Sequence, residues 1–347
     1  MQGLDLTGVD ADQYTTALNL LSNADEYDFN LLLLPGIVRK FGGHTSIISK
    51  AIDVCESRGD AFVIVDSVPY STDAFGLVKT QAKAMDSNYA ATYWPWVQVP
   101  DPQIGTNVWV PPSVVLPGVI SYTDRVAHEW FAPAGLNRGG LTTVLEAKTR
   151  LTHAERDELY EDRVNPIASF PGQGVVVFGQ KTLQSKPSAL DRINVRRLLI
   201  ALRKFIASSS RYLVFEQNTT ALRNRFMNIV NPYLESVQSN SGLNAFRVVM
   251  DDSNNTPDLV DRNILYGQIF LQPTKTAEFI KIKLGTAIPV NDKKSMKING
   301  KDRKPRCDSA KDQKEVHVND NAGRTSGRLN FFTDKGKGKK YLGVVIK

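Results

Sequence analysis

The chain has 347 residues, of which 41% are hydrophobic and 23% are charged. This composition is typical of a globular protein with a sizeable core, and it excludes a collagen-like fibre and a globally disordered chain. The two cysteines, Cys55 and Cys307, are too few for a disulfide framework. No apolar run approaches the roughly 20 residues of a membrane-spanning helix, and no signal peptide precedes the first polar residues, so we expect no membrane anchor.

The net charge of +7 is unevenly distributed along the chain. Residues 281–347 contain 18 Lys and Arg against 7 Asp and Glu, whereas residues 1–280 contain 25 against 29. The basic character therefore belongs to the tail, and nucleic-acid binding by the mildly acidic main body is not expected.

Strands and helices alternate in the first half of the sequence. An apolar run from Phe29 to Leu34 predicts a strand that ends at Pro35-Gly36, and helical spacing from His44 to Glu56 predicts a helix. Further elements follow in the same alternation: a strand at Ala61–Val65, a helix at Thr72–Met85 and a strand within Tyr89–Val99. The pattern predicts an α/β fold, a mixed sheet with helices on both faces.

The middle of the chain, from Val110 to Pro171, predicts one helix followed by long connections. Thr152 and Glu155 have capping-box spacing, which predicts a short helix through Tyr160. Beyond it, the sequence predicts a strand at Gly174–Gly179, a strand at Tyr212–Glu216, a helix at Thr219–Val237, and strands at Ala245–Met250, Ile264–Leu271 and Ala277–Lys283.

A helix predicted from Asp191 to about Ser209 is strongly amphipathic. Its apolar stripe, expected to pack on the sheet, consists of Val195, Leu198, Leu199, Leu202, Phe205 and Ile206. The opposite face is basic and contains Arg192, Arg196, Arg197, Arg203 and Lys204, joined by Arg211 if the helix continues. Either this face is a solvated surface, or it docks on an acidic partner.

Motifs for catalysis are missing from the sequence. Pro171-Gly172-Gln173-Gly174 precedes a strand and is interpreted as a turn, not as a phosphate loop, and Asp251-Asp252 is interpreted as a second turn. A single carboxylate, Asp66, ends a predicted strand. Tyr93-Trp94-Pro95-Trp96 is expected to be core or interface, and the histidines lack metal-ligand spacing: His44, His128, His153 and His317. We therefore expect no catalytic residue, no cofactor and no metal site.

Successive segments resemble the motifs of contractile phage tail sheath proteins, in the same order. Those of the first half are Tyr93-Trp94-Pro95-Trp96 with Asp101-Pro102, Pro111-Pro112-Ser113, Thr123-Asp124 and Trp130-Phe131-Ala132-Pro133-Ala134-Gly135. Those of the second half are Leu159-Tyr160, Asn165-Pro166-Ile167, the run from Phe178 to Leu183, Asn194-Val195-Arg196-Arg197-Leu198, the run from Val214 to Asn218 and the run from Pro273 to Ile280. The resemblance extends from about residue 28 to residue 283.

The resemblance implies a structural polymer without enzymatic activity. Such a subunit stacks in helical rings around an inner tube, and its contraction drives the tube and the genome through the host envelope. The implied partners are further copies of the chain, the tail tube protein, and the baseplate and tail terminator proteins, in a virion assembled in the host cytoplasm.

The resemblance also implies roles for two sets of residues. Terminal strands of the family join the sheets of adjacent subunits, which makes the segment from Thr276 to Lys283 a candidate inter-subunit strand: Thr276, Ala277, Glu278, Phe279, Ile280, Lys281 and Ile282. The C-terminal region of the family lies nearest the tube, so the candidates for tube contact are Arg192, Arg196, Arg197, Arg203 and Lys204.

The expected organisation is a lead-in at 1–27, a sheath-like α/β core with the C-terminal sheath region at 28–283, and a basic, disordered tail at 284–347. The chain begins close to the family's α/β core, so a fragment or a short form is expected. The tail has no counterpart in the family, and it could instead reflect a reading-frame change near Leu284. Two alternative classes stay open for this sequence: a phosphate-ligand-binding α/β enzyme, and a nucleic-acid-binding protein acting through the tail.

Overall fold

A computed structural model describes residues 10–70, 74–278, 283–284, 296–298, 301–303, 313–316, 327–334 and 339–346. Contacts between residues divide the chain into two units. The first unit consists of Met1–Leu151 with Glu158–Thr276, and the second consists of Thr152–Asp157 with Ala277–Lys347.

The first unit is built on a five-stranded mixed sheet in the order β1-β2-β3-β7-β8. The strands β1, β2, β3 and β7 are parallel, and β8 joins β7 antiparallel through a tight turn. Their bounds are β1 Leu31–Val38, β2 Phe62–Asp66, β3 Ala90–Trp94, β7 Val164–Phe170 and β8 Gly174–Val177. Gly172 and Gly174 form the turn with positive φ, which confirms the turn expected there.

Helices cover both faces of this sheet, as predicted. One hydrophobic cluster lies on each face of the sheet, and successive residues of β2 belong alternately to the two clusters. Val63 and Val65 belong to the first cluster, and Phe62 and Ile64 belong to the second. The first cluster is closed by the helices α1 Ala11–Leu21, α2 Gly42–Arg58 and α3 Phe75–Lys83, and the second is closed by α4 Pro112–Val126. The aromatic residues Tyr93, Trp94 and Trp96 are buried, which confirms the packing role expected of them.

A smaller three-stranded sheet, in the order β5-β4-β6, lies between β3 and β7 in the chain. Its bounds are β4 Val97–Asp101, β5 Thr106–Val110 and β6 Glu146–Ala147. The short helix α5 His153–Glu161 follows. Glu155 N–H donates to Thr152 Oγ1 over 3.4 Å, and Thr152 N–H donates to Glu155 Oε2 over 2.7 Å, so the predicted capping box is confirmed.

The last part of the first unit packs two long helices against a hairpin. The helices are α6 Ile193–Ser210 and α7 Thr220–Ser239, followed by the short α8 Pro257–Asp261, and the strands are β9 Leu243–Val249 and β10 Gln268–Pro273. One hydrophobic cluster joins Leu198 and Leu202 of α6 to Phe226 and Val230 of α7. The predicted stripe of α6 therefore packs on α7 and the hairpin, while Ile193 and Ile200 of the opposite face contact the core of the large sheet.

Two other predicted elements differ in the structure. Strand β1 continues through Pro35-Gly36 to Val38 with a register irregularity, because Gly36 adopts φ +88 and lets the chain bend without leaving the sheet. The strand predicted at Tyr212–Glu216 is wrong: a 3₁₀ turn at Arg211–Leu213 leads into an exposed loop. Its apolar residues suggested a strand, but no neighbouring strand satisfies their backbone groups in the described chain.

The described tail residues of the second unit lie in paired strands, which differs from the disorder expected for this tail. Four strands form an antiparallel sheet in the order β11-β16-β15-β14, and β12 pairs with β13. The bounds are β11 Lys283–Leu284, β12 Met296–Ile298, β13 Lys301–Arg303, β14 Gln313–Val316, β15 Gly327–Asp334 and β16 Lys339–Ile346. The high positive charge of the tail does not indicate these strands, because its apolar residues are concentrated in β15 and β16.

Candidate functional site: interaction surfaces

Asp66, the carboxylate that ends β2, is buried beneath the start of helix α4. Ser113 N–H donates to Asp66 Oδ1 over 3.2 Å, and the Ser113 hydroxyl donates to Oδ2 over 2.6 Å. Doubly wound folds commonly bind ligands at this carboxyl end of the strands. Here the chain's own Pro111-Pro112-Ser113 segment occupies that position, so Asp66 holds helix α4 on the sheet.

We expect Asp66→Asn to change the pH dependence of stability. Burial raises the pKa of Asp66 to about 7, above the ordinary 3.8. Between these values the folded chain holds a proton that the unfolded chain has lost, so stability falls as pH rises through this window, by up to about 4 kcal/mol. An asparagine does not ionise, so it removes this pH dependence. Its Oδ1 can accept a hydrogen bond from Ser113 N–H, and its Nδ2 can donate one to the Ser113 hydroxyl.

Urea unfolding at pH 5 and pH 8 measures the effect. The variant should gain stability relative to the wild-type chain at pH 8 but not at pH 5. Asp261→Asn, at an exposed residue, is the control and should show no such difference. Equal pH dependence in wild type and Asp66→Asn would contradict the role given to the buried carboxyl.

Part of the basic face of α6, at Arg196 and Arg197, is turned toward the chain's own central sheet. Ile193 and Arg197 are four residues apart, as are Arg196 and Ile200, so all four share the face that packs inward. The side chains of Arg196 and Arg197 are 6% and 5% exposed. A helical wheel places residues on faces, but it does not say which face a tertiary contact covers.

Arg196 and Arg197, the two cations of α6 that face inward, each have partners within the chain. Arg197 makes a bidentate pair with Asp124, with N–O distances of 2.8 and 2.5 Å. Arg196 donates to Asn88 Oδ1 over 2.5 Å and lies 4.0 Å from the ring centroid of Tyr89. These buried guanidinium groups would have to leave their partners to reach another molecule, which weighs against their use in docking.

The remaining candidates lie nearer the surface. Lys204 Nζ contacts Asp28 and donates to Phe29 O over 2.9 Å and Asn30 Oδ1 over 2.5 Å. Arg192 pairs with its neighbour Asp191 over 3.1 Å. Arg203 is exposed, and its guanidinium lies over Gly59, where a Cβ would collide with it. Arg203 is thus the most exposed of the five candidates, and tube contact through this face stays a prediction.

A two-residue segment, Glu129-Trp130, is clamped by the helices α6 and α7. Arg197 Nη1 donates to Glu129 O over 3.2 Å, Asn194 Nδ2 donates to Trp130 O over 3.3 Å, and Trp130 Nε1 donates to Asn240 O over 2.9 Å. With the Arg197–Asp124 pair, these bonds fix the last part of the unit to helix α4 and the loop that follows it. Sequence reasoning singled out the surrounding motifs but did not assign this role, because their partners lie about 65–110 residues away in the chain.

The hairpin of β9 and β10 forms a sheet of two strands only. Phe246 and Leu271, and likewise Val248 and Ile269, are paired on the face that packs against α7. Within the described residues, neither outer edge of this sheet pairs with another strand. Backbone groups along these edges are therefore available to an added strand, except at Asn244 and Val249, whose carbonyl oxygens accept bonds from Gln238 and Asn254.

The candidate inter-subunit strand begins shortly after β10. Thr276, Ala277 and Glu278 have no regular secondary structure, and Thr276 Oγ1 accepts a bond of 2.6 Å from Gln180 Nε2. Phe279, Ile280, Lys281 and Ile282 lie outside the described residues. The role of this segment stays a prediction.

The loop between α6 and α7 presents three exposed apolar side chains. Phe215 has a relative exposure of 102%, and its φ of +70 is uncommon for a bulky residue. Tyr212 and Val214 beside it are 80% and 59% exposed. Folding alone does not favour three exposed apolar side chains on a strained loop, so the loop is a candidate contact surface.

Two further findings concern the described residues only. No helix there is long and apolar enough to cross a membrane. Within the same ranges, no group of three His, Cys, Asp or Glu side chains is placed to hold a metal ion.

The sequence is similar to known proteins along most of its length. Residues 7–183 match the family described as phage tail sheath protein central domain, and residues 185–284 match the phage tail sheath C-terminal domain. The tail sheath protein of Vibrio phage KVP40 is 38% identical over 205 residues, which are 59% of this chain and 30% of that protein. The tail sheath protein of Enterobacteria phage T4 is 36% identical over 213 residues, 61% of this chain and 31% of that protein. The matched part thus spans about a third of these relatives.

Solved structures share the fold. The helical sheath of the anti-feeding prophage in the contracted state superposes with a TM-score of 0.64 and 25% identity, covering 80% of this chain and 76% of that one. The contracted sheath complex of the extracellular contractile injection system PVC gives a TM-score of 0.64 and 23% identity, with 78% and 75% covered.

Proposed function

The chain belongs to the phage tail sheath protein family, and on this premise we propose that it is a structural subunit of a contractile sheath. Its copies polymerise as helical rings around an inner tube, and contraction drives the tube, and with it the genome, through the host envelope. The sheath relatives in the KVP40 and T4 phages and the contracted sheath structures support this proposal.

The observation that carries the proposal is the two-stranded sheet, whose outer edges pair with no other strand among the described residues. A strand from a neighbouring copy can add to β9 or β10 through main-chain hydrogen bonds, and the segment that starts at Thr276 leaves the unit directly after β10. Because each copy both donates a strand and accepts one, the contact is heterologous and generates an open helix of subunits. Such a link tolerates movement of the folded bodies between an extended and a contracted packing.

We propose that the exposed loop with Tyr212, Val214 and Phe215 contacts the tube. It belongs to the C-terminal region that the family resemblance places nearest the tube, and these three apolar side chains are exposed. The inward-facing cations of α6 are then structural, and Arg203 can add an exposed charge beside the loop's helix.

Further parts of the proposal concern location and organisation. The subunit is placed in the virion tail, assembled in the host cytoplasm, with baseplate and tail terminator proteins at the ends of the sheath, and it has no enzymatic activity. We retain a lead-in at 1–27, a sheath body at 28–283 and a separate tail at 284–347; the second family match ends at residue 284.

Electron microscopy of the purified full-length chain tests the proposal. We expect hollow helical tubes above a critical protein concentration, and sheathed tubes when tail tube protein is added. Phe215→Ser should leave the monomer folded and reduce the sheathing of tubes at least tenfold, because the apolar contact is lost. Arg225→Ser, which removes an exposed side chain on α7, is the control. Monomers alone at every concentration would contradict the proposed function, and normal sheathing by Phe215→Ser would contradict the role of the loop.

A further inference from the structure

A cavity of about 490 Å³ lies between the end of α4 and the helices α6 and α7. Its charged and titratable lining residues are Asp124, His128, Glu129, Lys204 and Tyr233. A volume of this size exceeds the roughly 30 Å³ of one water molecule many times, so a side chain from outside can enter. The Glu129-Trp130 clamp holds one wall of the cavity in place.

The charges of the cavity do not balance within the chain. Asp124 is neutralised by Arg197, and Lys204 is neutralised by Asp28. Glu129 remains: within the described residues its carboxylate accepts no hydrogen bond and forms no ion pair, although it is half-buried. Burial raises the pKa of Glu129 most; the nearby Arg197 lowers it, Asp124 raises it, and Lys204 lowers it. Keeping a half-buried carboxylate ionised without hydrogen-bond donors costs free energy unless a cation forms an ion pair with it.

We propose that this cavity binds one cationic side chain, an arginine or a lysine, presented by a second copy of the chain. Glu129 accepts its hydrogen bonds, and the polar wall groups of Tyr233, Asn240 and Asn30 surround it. The second copy is the occupant because a subunit that polymerises meets its own surface first, so this part of the inference depends on the proposed function. The cation supplies the charge that Glu129 lacks in the single chain.

The first experiment uses the monomeric full-length chain and a pair of probes. N-acetylargininamide carries the guanidinium, and N-acetylcitrullinamide has the same shape without the charge. At pH 8 we expect the indole N–H signal of Trp130 to shift in a saturable way with the arginine probe, with a dissociation constant of about 1–10 mM, and not with the citrulline probe. Glu129→Gln should weaken the response at least tenfold, and Glu235→Gln, on the exposed side of α7, should keep it.

The second experiment measures assembly. Glu129→Gln should raise the critical concentration for polymerisation about tenfold, while its monomer stability stays equal to or above that of the wild-type chain, because no internal hydrogen bond is lost. Glu235→Gln should assemble as wild type.

Each outcome decides one part of the inference. Equal responses to both probes, no saturable shift, or an unchanged response in Glu129→Gln would overturn the cation site. A positive probe result with unchanged assembly would overturn the second copy as occupant. A wild-type chain that never polymerises contradicts the proposed function and the second copy as occupant, and the probe result still decides the cation site.

Discussion

Replacing Arg197 by alanine is expected to destabilise the monomer by about 2–3 kcal/mol, because it removes the buried member of an ion pair whose other member, Asp124, is partly exposed. Asp124 would lose two charge-assisted hydrogen bonds, and the carbonyl of Glu129 would lose a third. Urea unfolding of the monomer measures the change.

Two further variants separate this buried pair from an ordinary surface charge. Arg203→Ala removes an exposed cation of the same helix and should change stability by no more than about 1 kcal/mol. Arg197→Met combined with Asp124→Leu removes both charges and should recover most of the loss. If Arg197→Ala costs no more than Arg203→Ala, the inward basic face does not hold the helix to the central sheet.

Ile280→Pro is expected to abolish tube formation while leaving the monomer folded. The proline removes one backbone donor and distorts the candidate inter-subunit strand, which should cost about 3 kcal/mol at each link and reduce association about 100-fold. Because each backbone bond contributes only about 0.5–1.5 kcal/mol, the polymer depends on the whole strand being intact. Electron microscopy and the thermal unfolding of the monomer are the two measurements.

Ile280→Val is the matched control, since valine keeps the backbone donor and the preference for strands. A synthetic peptide of residues 276–284 should also stop growth of wild-type tubes by occupying the free sheet edge, and the same peptide with proline at 280 should not. An unfolded Ile280→Pro monomer would mean that the segment is an internal strand. Normal tubes would mean that the subunits are linked elsewhere.

The sequence by itself determined the fold class and the family. The apolar run of β2 and the helical spacing of α2 are local patterns, and local patterns are visible in sequence. The tight turn at Gly172 and the capping box at Thr152 were equally local, since each needs only residues within about four positions. The serial order of short motifs carried the resemblance to tail sheaths.

Only the tertiary structure decided which way the amphipathic helix α6 faces. The sequence separated its apolar stripe from its basic face correctly, yet Leu198 packs on α7 while Arg197 is buried against Asp124, 73 residues away in the chain. An arginine can be buried at little net free-energy cost when it pairs with a carboxylate. When that carboxylate is distant in the chain, the sequence does not show which two residues pair. For the same reason the sequence does not show that, among the described residues, Glu129 forms no ion pair and the hairpin pairs with no third strand, because both depend on the neighbours of a residue and not on the residue itself.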